Sequence, residues 1–150
     1  MTSEVWASWR AATIAGHADD QVRIGAWPAE GADARAAAVL AVLLPDGQLT
    51  ADHQFMSIVN EDGLTVGALW FAPDRGDAHR AIFIWDIVIG EEFRGRGYGR
   101  AALTALEPVV RALGYDEISL HVFGDNDVAR SLYRSAGYVE TNVSMVKRLA

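Results

Sequence analysis

The chain has 150 residues, of which 51% are hydrophobic, and this is enough to build one domain with a buried core. It carries 13 lysines and arginines against 20 aspartates and glutamates, and the resulting charge of −7 argues against nucleic acid as the main partner. Because the chain contains no cysteine, disulfides, thiolate metal sites and a cysteine nucleophile are excluded.

The chain shows no signal for a membrane or an export pathway. Its longest apolar run, residues 36–44, is too short to span a bilayer and stops at Pro45. The first residues, Met1 to Glu4, lack the basic start and apolar core of a signal peptide. We therefore expect a cytoplasmic protein with no membrane partner, organised as a single domain over residues 1–150.

The first third of the chain is predicted to be helical. Trp6, Trp9 and Ile14 recur at helical spacing, which predicts a helix close to the N-terminus. An alanine-rich stretch over 34–44 predicts a second helix, and the turn residues Pro45-Asp46-Gly47 end it.

The pattern then changes to strands. Segments 54–59 and 65–71 flank Asn60-Glu61-Asp62-Gly63, a hairpin signal with glycine at its end. Residues 81–89 form an apolar, β-branched run that is typical of a buried strand.

The last third alternates helices and strands. We expect helices over 97–113 and 126–136, a short strand over 118–122, and one or two strands over 138–149. This order of elements predicts an α/β fold, a mixed sheet with helices on its faces.

A glycine-rich, basic turn joins the strand 81–89 to the helix that follows it. Its sequence is Arg94-Gly95-Arg96-Gly97-Tyr98-Gly99-Arg100. Glycines let the backbone approach an anion, and the first N–H groups of a helix are unpaired and lie at the positive end of its dipole. The turn therefore predicts a site for a phosphate group.

Two common phosphate sites fit this turn poorly. A nucleotide P-loop needs Gly-Lys-Ser/Thr, and the chain has no lysine before Lys147. A dinucleotide site needs an acidic residue about 20 residues downstream at the end of a strand, and Glu117 begins a strand instead. From the residues alone, a site that binds the phosphates of another nucleotide stays open as an alternative.

Residues 81–149 resemble the GNAT superfamily of acetyltransferases, which use acetyl-coenzyme A. The family signature Arg/Gln-x-x-Gly-x-Gly/Ala matches Arg94, Gly97 and Gly99. A second family element, Asn-x-x-Ala-x-x-Leu-Tyr-x-x-x-Gly-Phe/Tyr, matches without a gap over 126–138; the matching residues are Asn126, Ala129, Leu132, Tyr133, Gly137 and Tyr138. The chain departs from the family in beginning almost directly with a helix, so that the usual first strand is missing or very short.

The resemblance implies a fold and a cofactor site. The fold is a GNAT-like mixed central sheet with a V-shaped splay between family strands four and five, helices on both faces and a helical N-terminal segment. Family strand four corresponds to residues 81–89. The residues implied in cofactor binding are the main chain of Ile87, Val88 and Ile89, the turn residues Arg94, Gly95, Arg96, Gly97, Tyr98, Gly99 and Arg100, and Asn126, Ala129 and Tyr133.

The resemblance also implies the chemistry. Tyr133 matches the general acid that protonates the departing thiolate of coenzyme A, and a phenol suits this role because its ordinary pKa of about 10 is close to that of a thiol. The N–H of Val88 would face the thioester carbonyl and stabilise the oxyanion. Asn126 is expected to cap its helix as well.

Two residues compete for the role of general base. His121 lies five residues before Asn126, where some family members carry a catalytic glutamate, and an imidazole can take a proton near neutral pH. Asp86 is a lone carboxylate in an otherwise apolar strand, a placement that needs a reason. The sequence leaves both open.

The acceptor is predicted only as a class. The negative charge favours a cationic acceptor, and the resemblance implies a primary amine on a small molecule or a peptide. His53, Trp70 and Trp85 are candidates to line its pocket.

We expect an N-acetyltransferase, with a non-catalytic acyl-CoA-binding module as the alternative, and a homodimer is the oligomeric state that we consider. His17 and His79 lack ligand spacing, so no metal site is predicted.

Overall fold

The structure is a computed structural model that describes residues 1–74 and 81–147. Its helices and strands alternate in the second half of the chain, as the sequence predicts. In chain order they are α1 (Ser3–Arg23), α2 (Ala32–Leu43), β1 (Gln54–Val59), β2 (Thr65–Pro73), β3 (Ala81–Ile89), α3 (Tyr98–Ala112), β4 (Glu117–Leu120) and α4 (Asp127–Ser135).

Local chemistry sets several of these boundaries. The hydroxyl of Thr2 accepts a hydrogen bond from the N–H of Val5 and caps α1. In the β1–β2 hairpin, the Asn60 side-chain oxygen accepts from the N–H of Leu64 at 2.8 Å, and Gly63 supplies a left-handed backbone with φ of 80°. The predicted hairpin is confirmed.

The four strands form one mixed sheet in the order β1-β2-β3-β4. The pairs β1–β2 and β2–β3 are antiparallel, whereas β3 and β4 are parallel. The parallel pairing runs from Ala81 opposite Glu117 to Ile84 opposite Leu120 and covers only the first half of β3. Residues 85–89 therefore have no strand partner on that edge within the described residues.

A β-bulge interrupts β3 at Trp85. Ile84 lies opposite Phe71 and Asp86 lies opposite Trp70, so Trp85 is an extra residue with no partner on β2. Ile84 packs on the α3 side of the sheet, while Trp85 and Asp86 both line a cleft on the α1 side. The bulge thus directs two consecutive side chains to the same face.

Helices cover both faces of the sheet, and each face has its own buried cluster. The α3–α4 face contains Leu69, Phe71, Ile82, Ile84, Leu103, Leu106 and Val110. The α1–α2 face contains Trp9, Leu40, Leu44, Phe55, Ala68 and Trp70. This arrangement confirms the mixed sheet with helices on both faces.

The helix α1 crosses its face of the sheet from one edge to the other. The N-terminal amine of Met1 donates to the carbonyl of Phe55 on β1, at 3.3 Å. At its other end, Arg23 forms an ion pair with Asp125, in the loop after β4, and lies over the ring of Phe123. The middle of α1 therefore passes over β3.

The C-terminal strand prediction is wrong for residues 138–147. No strand is formed there, and the apolar side chains of Val139, Val143 and Met145 are exposed. Alternating apolar residues make a strand only when a neighbouring strand pairs with them. Residues 148 and 149 lie outside the described part of the chain, as does His79.

The short strand β4 also ends earlier than predicted, at Leu120, so that His121 and Val122 belong to the following loop. Among the helices of the described residues, none is both long and apolar enough to cross a bilayer.

Candidate active site

The turn between β3 and α3 has the backbone of an anion site. Gly95 and Gly97 adopt left-handed conformations, with φ of 73° and 86°. The first hydrogen bond of α3 joins the N–H of Ala101 to the carbonyl of Gly97 at 3.0 Å, and among the described residues no side chain caps this end. The N–H groups of Tyr98, Gly99 and Arg100 therefore precede the first intrahelical bond and are available to a phosphate.

The three arginines of the turn surround these amides with positive charge. Arg94 donates through Nε to the carbonyl of Ile89 at 3.1 Å, which anchors the turn to the end of β3. Arg100 donates to the carbonyl of Ser135 on α4 at 3.4 Å. The guanidinium of Arg96 lies 5.9 Å from the ring centre of Phe93. All three side chains are exposed and could meet a polyphosphate.

The two sequence motifs meet in space at Gly99. A Cβ built on Gly99 would stand 3.1 Å from Cδ2 of Leu132, a position in the second motif. Because a side chain at 99 would push against α4, glycine allows α3 and α4 to pack closely.

Asp86 is held by two donors from α1. The indole N–H of Trp9 donates to Oδ2 of Asp86 at 2.7 Å, and the hydroxyl of Thr13 donates to the same oxygen at 3.5 Å. Burial raises the pKa of Asp86 above its ordinary value of 3.8, and these donors, with the backbone N–H of Ile87, oppose the rise. The result is a fixed carboxylate with a raised pKa.

Tyr133 reaches the same region from α4. Burial is the main cause that raises the pKa of Tyr133 above 10, and the negative charge of Asp86 adds to it. The ring of Tyr138 lies 5.8 Å away, and burial with the neighbouring Tyr133 and Glu107 raises the pKa of Tyr138 to about 12. Tyr133 therefore stays protonated at neutral pH and suits an acid better than a base.

A cleft of about 810 Å³ lies on the α1–α2 side of the sheet, and Asp86 opens into it. Trp70 and Trp85 line its wall, and the centres of their stacked rings are 5.2 Å apart. His53 does not line the cleft, but its Nδ1 accepts a hydrogen bond from the indole N–H of Trp70 at 2.8 Å.

Two further predicted residues, Asn126 and His121, lie at the start of α4 and in the loop after β4. Asn126 caps α4 as expected, because its side-chain oxygen accepts from the N–H of Ala129 at 3.1 Å. His121 is exposed in the loop after β4, and its ring lies against Phe123. The charge of Asp86 acts on the pKa of Tyr133, whereas the ring contact of His121 is with Phe123.

The three predicted residues at the end of β3 point to both sides of the sheet. Ile87 packs on the α3 face, the side chain of Val88 lines the cleft, and Ile89 approaches Gly99. Their main chain pairs with residues 67–69 of β2 on one edge, and the opposite edge is not paired with β4. Such an edge can hydrogen-bond an extended ligand.

Reasoning from the sequence missed the two residues that hold Asp86. Trp9 and Thr13 are four residues apart and lie on one face of α1. The signal that could have found them was the need of a half-buried carboxylate for hydrogen-bond donors. It could not say which of the many polar residues of the chain would meet that need.

Comparison with known proteins agrees with this geometry. The family model described as the acetyltransferase (GNAT) family matches residues 14–138. The uncharacterized N-acetyltransferase YycN of Bacillus subtilis is 36% identical over 149 residues, which cover 99% of this chain and 96% of YycN. A second Bacillus subtilis protein, the uncharacterized N-acetyltransferase YdgE, is 32% identical over 149 residues, which cover 99% of this chain and 95% of YdgE.

Solved structures show the same likeness. The crystal structure of YycN superposes with a TM-score of 0.91 at 35% identity and covers 100% of this chain and 96% of that one. The structure of AAC(6')-Iy in complex with a bisubstrate analogue has a TM-score of 0.56 at 23% identity, covering 73% of this chain and 79% of that one. This second likeness is one of fold alone.

Proposed function

Since this chain belongs to the acetyltransferase (GNAT) family and is an acetyltransferase, we propose that it transfers the acetyl group of acetyl-CoA to a primary amine by direct attack. The observation that carries the proposal is the placement of Asp86. Its carboxylate opens into the cleft, and its charge also reaches Tyr133 on α4. The carboxylate thus offers a base beside a cleft that can take the acceptor, and the protonated phenol on α4 offers an acid.

The turn after β3 binds the cofactor in this proposal. The available N–H groups of Tyr98, Gly99 and Arg100, with the arginines around them, hold the pyrophosphate. The pantetheine arm lies along the unpaired edge of residues 87–89, where the family's sheet splays, and the N–H of Val88 meets the developing oxyanion. Asn126 and Ala129, at the start of α4, border the same site.

The residues of the chain then move two protons. Asp86 takes a proton from the acceptor, so that a neutral amine attacks the thioester carbon and forms the amide bond. As the carbon–sulfur bond breaks, the Tyr133 hydroxyl gives its proton to the thiolate, and the phenolate takes the second proton from the nitrogen, which becomes a neutral amide. The chain offers no cysteine for a covalent acetyl-enzyme, which agrees with direct attack.

The experiment that tests the acid is a pair of tyrosine variants. Tyr133→Phe should lower kcat with a small panel of primary amines by about 100-fold or more, because general acid catalysis has that magnitude. The measurement is coenzyme A release, followed with a thiol reagent. Acetyl-CoA binding, measured by calorimetry, should stay within about threefold of the original affinity, less than the tenfold that 1.4 kcal/mol would bring.

Tyr138→Phe is the matched control, since Tyr138 is the neighbouring half-buried phenol on the same side of the sheet. It should keep most of the turnover. Equal turnover in the two variants would remove Tyr133 from the role of acid.

A further inference from the structure

Negative charge predominates among the side chains that line the cleft. Among the described residues that border it, the acidic side chains are Glu4, Asp20, Asp86 and Glu92, and neither lysine nor arginine is present. His17 is the remaining ionisable residue of this lining. Asp20 is already paired with Arg23, so the other three carboxylates are the partners that an ammonium group would meet. Among the ionisable residues of this lining, a bound carboxylate or phosphate would meet His17 as its one possible cationic partner.

The walls between these carboxylates are apolar and aromatic. Trp9 and Trp70 are buried in the wall, while Trp85 is 42% exposed at the bulge. The ring of Trp85 stacks on Trp70 with an angle of 19° between the planes, and Phe83 meets it edge-on with 5.1 Å between ring centres. Trp85 is therefore held in one orientation, next in sequence to Asp86, with part of its surface open to a ligand.

We infer that the acceptor is an amine with an aromatic or apolar body and without a carboxylate or phosphate group. This inference rests on the proposed function and names the class of its acceptor. The body would lie against Trp85 and the aliphatic wall near Val88, and the amino group would point to Asp86. The volume of about 810 Å³ is within the range of roughly 300–1,000 Å³ that small-molecule sites occupy.

The same geometry disfavours α-amino acids. An amino acid that places its amine at Asp86 also carries a carboxylate within a few bonds of that amine. The carboxylate would lie beside Asp86 with no described cation in the lining to pair with it, and like charges at such separation repel. The described lining thus disfavours amino acids through its lack of lysine and arginine, and favours amines through its carboxylates.

Matched pairs of acceptors test the inference. Phenethylamine and phenylalanine differ by one carboxylate, and so do tryptamine and tryptophan. We expect kcat/KM from coenzyme A release to favour each amine over its amino acid by at least about tenfold, corresponding to 1.4 kcal/mol. Spermidine, which has charge but no aromatic body, should also be used less well than phenethylamine. Preference for the amino acids or for spermidine would overturn the inference.

Variants at Trp85 test the aromatic wall. Trp85→Ala should raise KM for phenethylamine by about fivefold, which corresponds to the roughly 1 kcal/mol that a ring wall contributes to a cationic aromatic ligand, while kcat changes less. Trp85→Phe should keep most of the affinity. Leu49→Ala, at an 88% exposed apolar residue outside the lining, is the matched control and should change neither constant. An unchanged KM in Trp85→Ala would contradict the inference.

Direct binding separates this inference from the proposed function. Phenethylamine should bind the complex of the protein with coenzyme A in calorimetry, and phenylalanine should bind at least about tenfold more weakly. If acetyl-CoA is bound but no amine is acetylated, the proposed function fails while this binding preference can still hold. If acetylation occurs and the amines show no preference over the amino acids, the inference fails alone.

Discussion

Two opposing effects act on the pKa of Asp86. Burial disfavours its charged form and raises its pKa, while the donors Trp9 and Thr13 favour the charged form and lower it. A carboxylate with a raised pKa accepts and holds a proton more readily than one at its ordinary pKa, and this is the property that a general base needs. The position of the carboxylate is fixed by the same hydrogen bonds.

The assignment of the base is tested by two variants. Asp86→Asn keeps an oxygen that can accept from Trp9 but cannot take a proton, so kcat should fall by about 100-fold or more. His121→Gln, at the exposed alternative base, should change kcat by less than about threefold, far below that range. Turnover with an amine panel measures both. A large loss in His121→Gln and a small one in Asp86→Asn would assign the base to His121.

The Trp9 hydrogen bond gives a pH prediction. Trp9→Phe removes a donor that favours the ionised carboxylate, so the pKa of Asp86 should rise further. Because activity needs the ionised form, the acidic limb of the kcat/KM profile should move to higher pH.

Trp6→Phe is the control for this shift. Trp6 lies 5.0 Å from Trp9 in the same aromatic cluster and donates no recorded hydrogen bond to Asp86. The acidic limb of the kcat/KM profile of Trp6→Phe should stay at its original pH. If the two variants shift the limb equally, the change reflects packing of α1 and not the hydrogen bond.

At the scale of elements, most of the chain could be predicted from the sequence. The hairpin β1–β2, the strand β3 and the helices α3 and α4 lie where periodicity, glycines and caps indicate. These signals are local, since a turn glycine or a capping asparagine acts on residues within four positions of itself. The strands expected over 138–149 depended on a distant partner, and the prediction was wrong for 138–147.

The turn before α3 gives a prediction about cofactor affinity. Gly97→Ala places a Cβ on a backbone with φ of 86°, which costs about 1 kcal/mol of unfolding free energy or shifts the amides to relieve the strain. Either outcome disturbs the N–H groups of α3, so acetyl-CoA affinity should fall by about tenfold in calorimetry.

Gly63→Ala is the matched control, because Gly63 has φ of 80° in the β1–β2 hairpin and, like Gly97, no neighbouring atom that a Cβ would meet. Urea unfolding should show a similar loss of stability, of about 1 kcal/mol, with unchanged acetyl-CoA affinity. A similar loss of affinity in both variants would mean that the strain acts through stability alone.

For the molecule as a whole, the two faces of the sheet have separate tasks. The α3–α4 face joins the anion-binding turn to Tyr133, and the α1–α2 face forms the cleft with Asp86. The strand β3, at its bulge and its unpaired end, takes part in both. The single domain, the cytoplasmic localisation and the homodimer stay predictions.

A thermal-shift experiment tests the cofactor at this scale. A ligand at 100 times its Kd adds about 2.7 kcal/mol to the free energy of unfolding. For a chain of this length, that should raise Tm by about 5–10 °C with acetyl-CoA. ATP and NAD, which have phosphates but no pantetheine arm, should give smaller shifts at the same concentration. Equal or larger shifts with ATP or NAD would favour the nucleotide-phosphate site that the residues alone left open.

The sequence by itself determined the glycine-rich turn before α3, the order of the elements up to α4 and the two motifs that identify the family, because each depends on residues close together in the chain. Only the tertiary structure decided which side chains share the site. The bulge at Trp85 depends on how β3 pairs with β2, and the bond from Trp9 to Asp86 joins positions 77 residues apart. Strand pairing and helix packing join residues that are far apart in the chain. The glycine-rich turn could therefore be predicted from the sequence, whereas the surroundings of Asp86 could not.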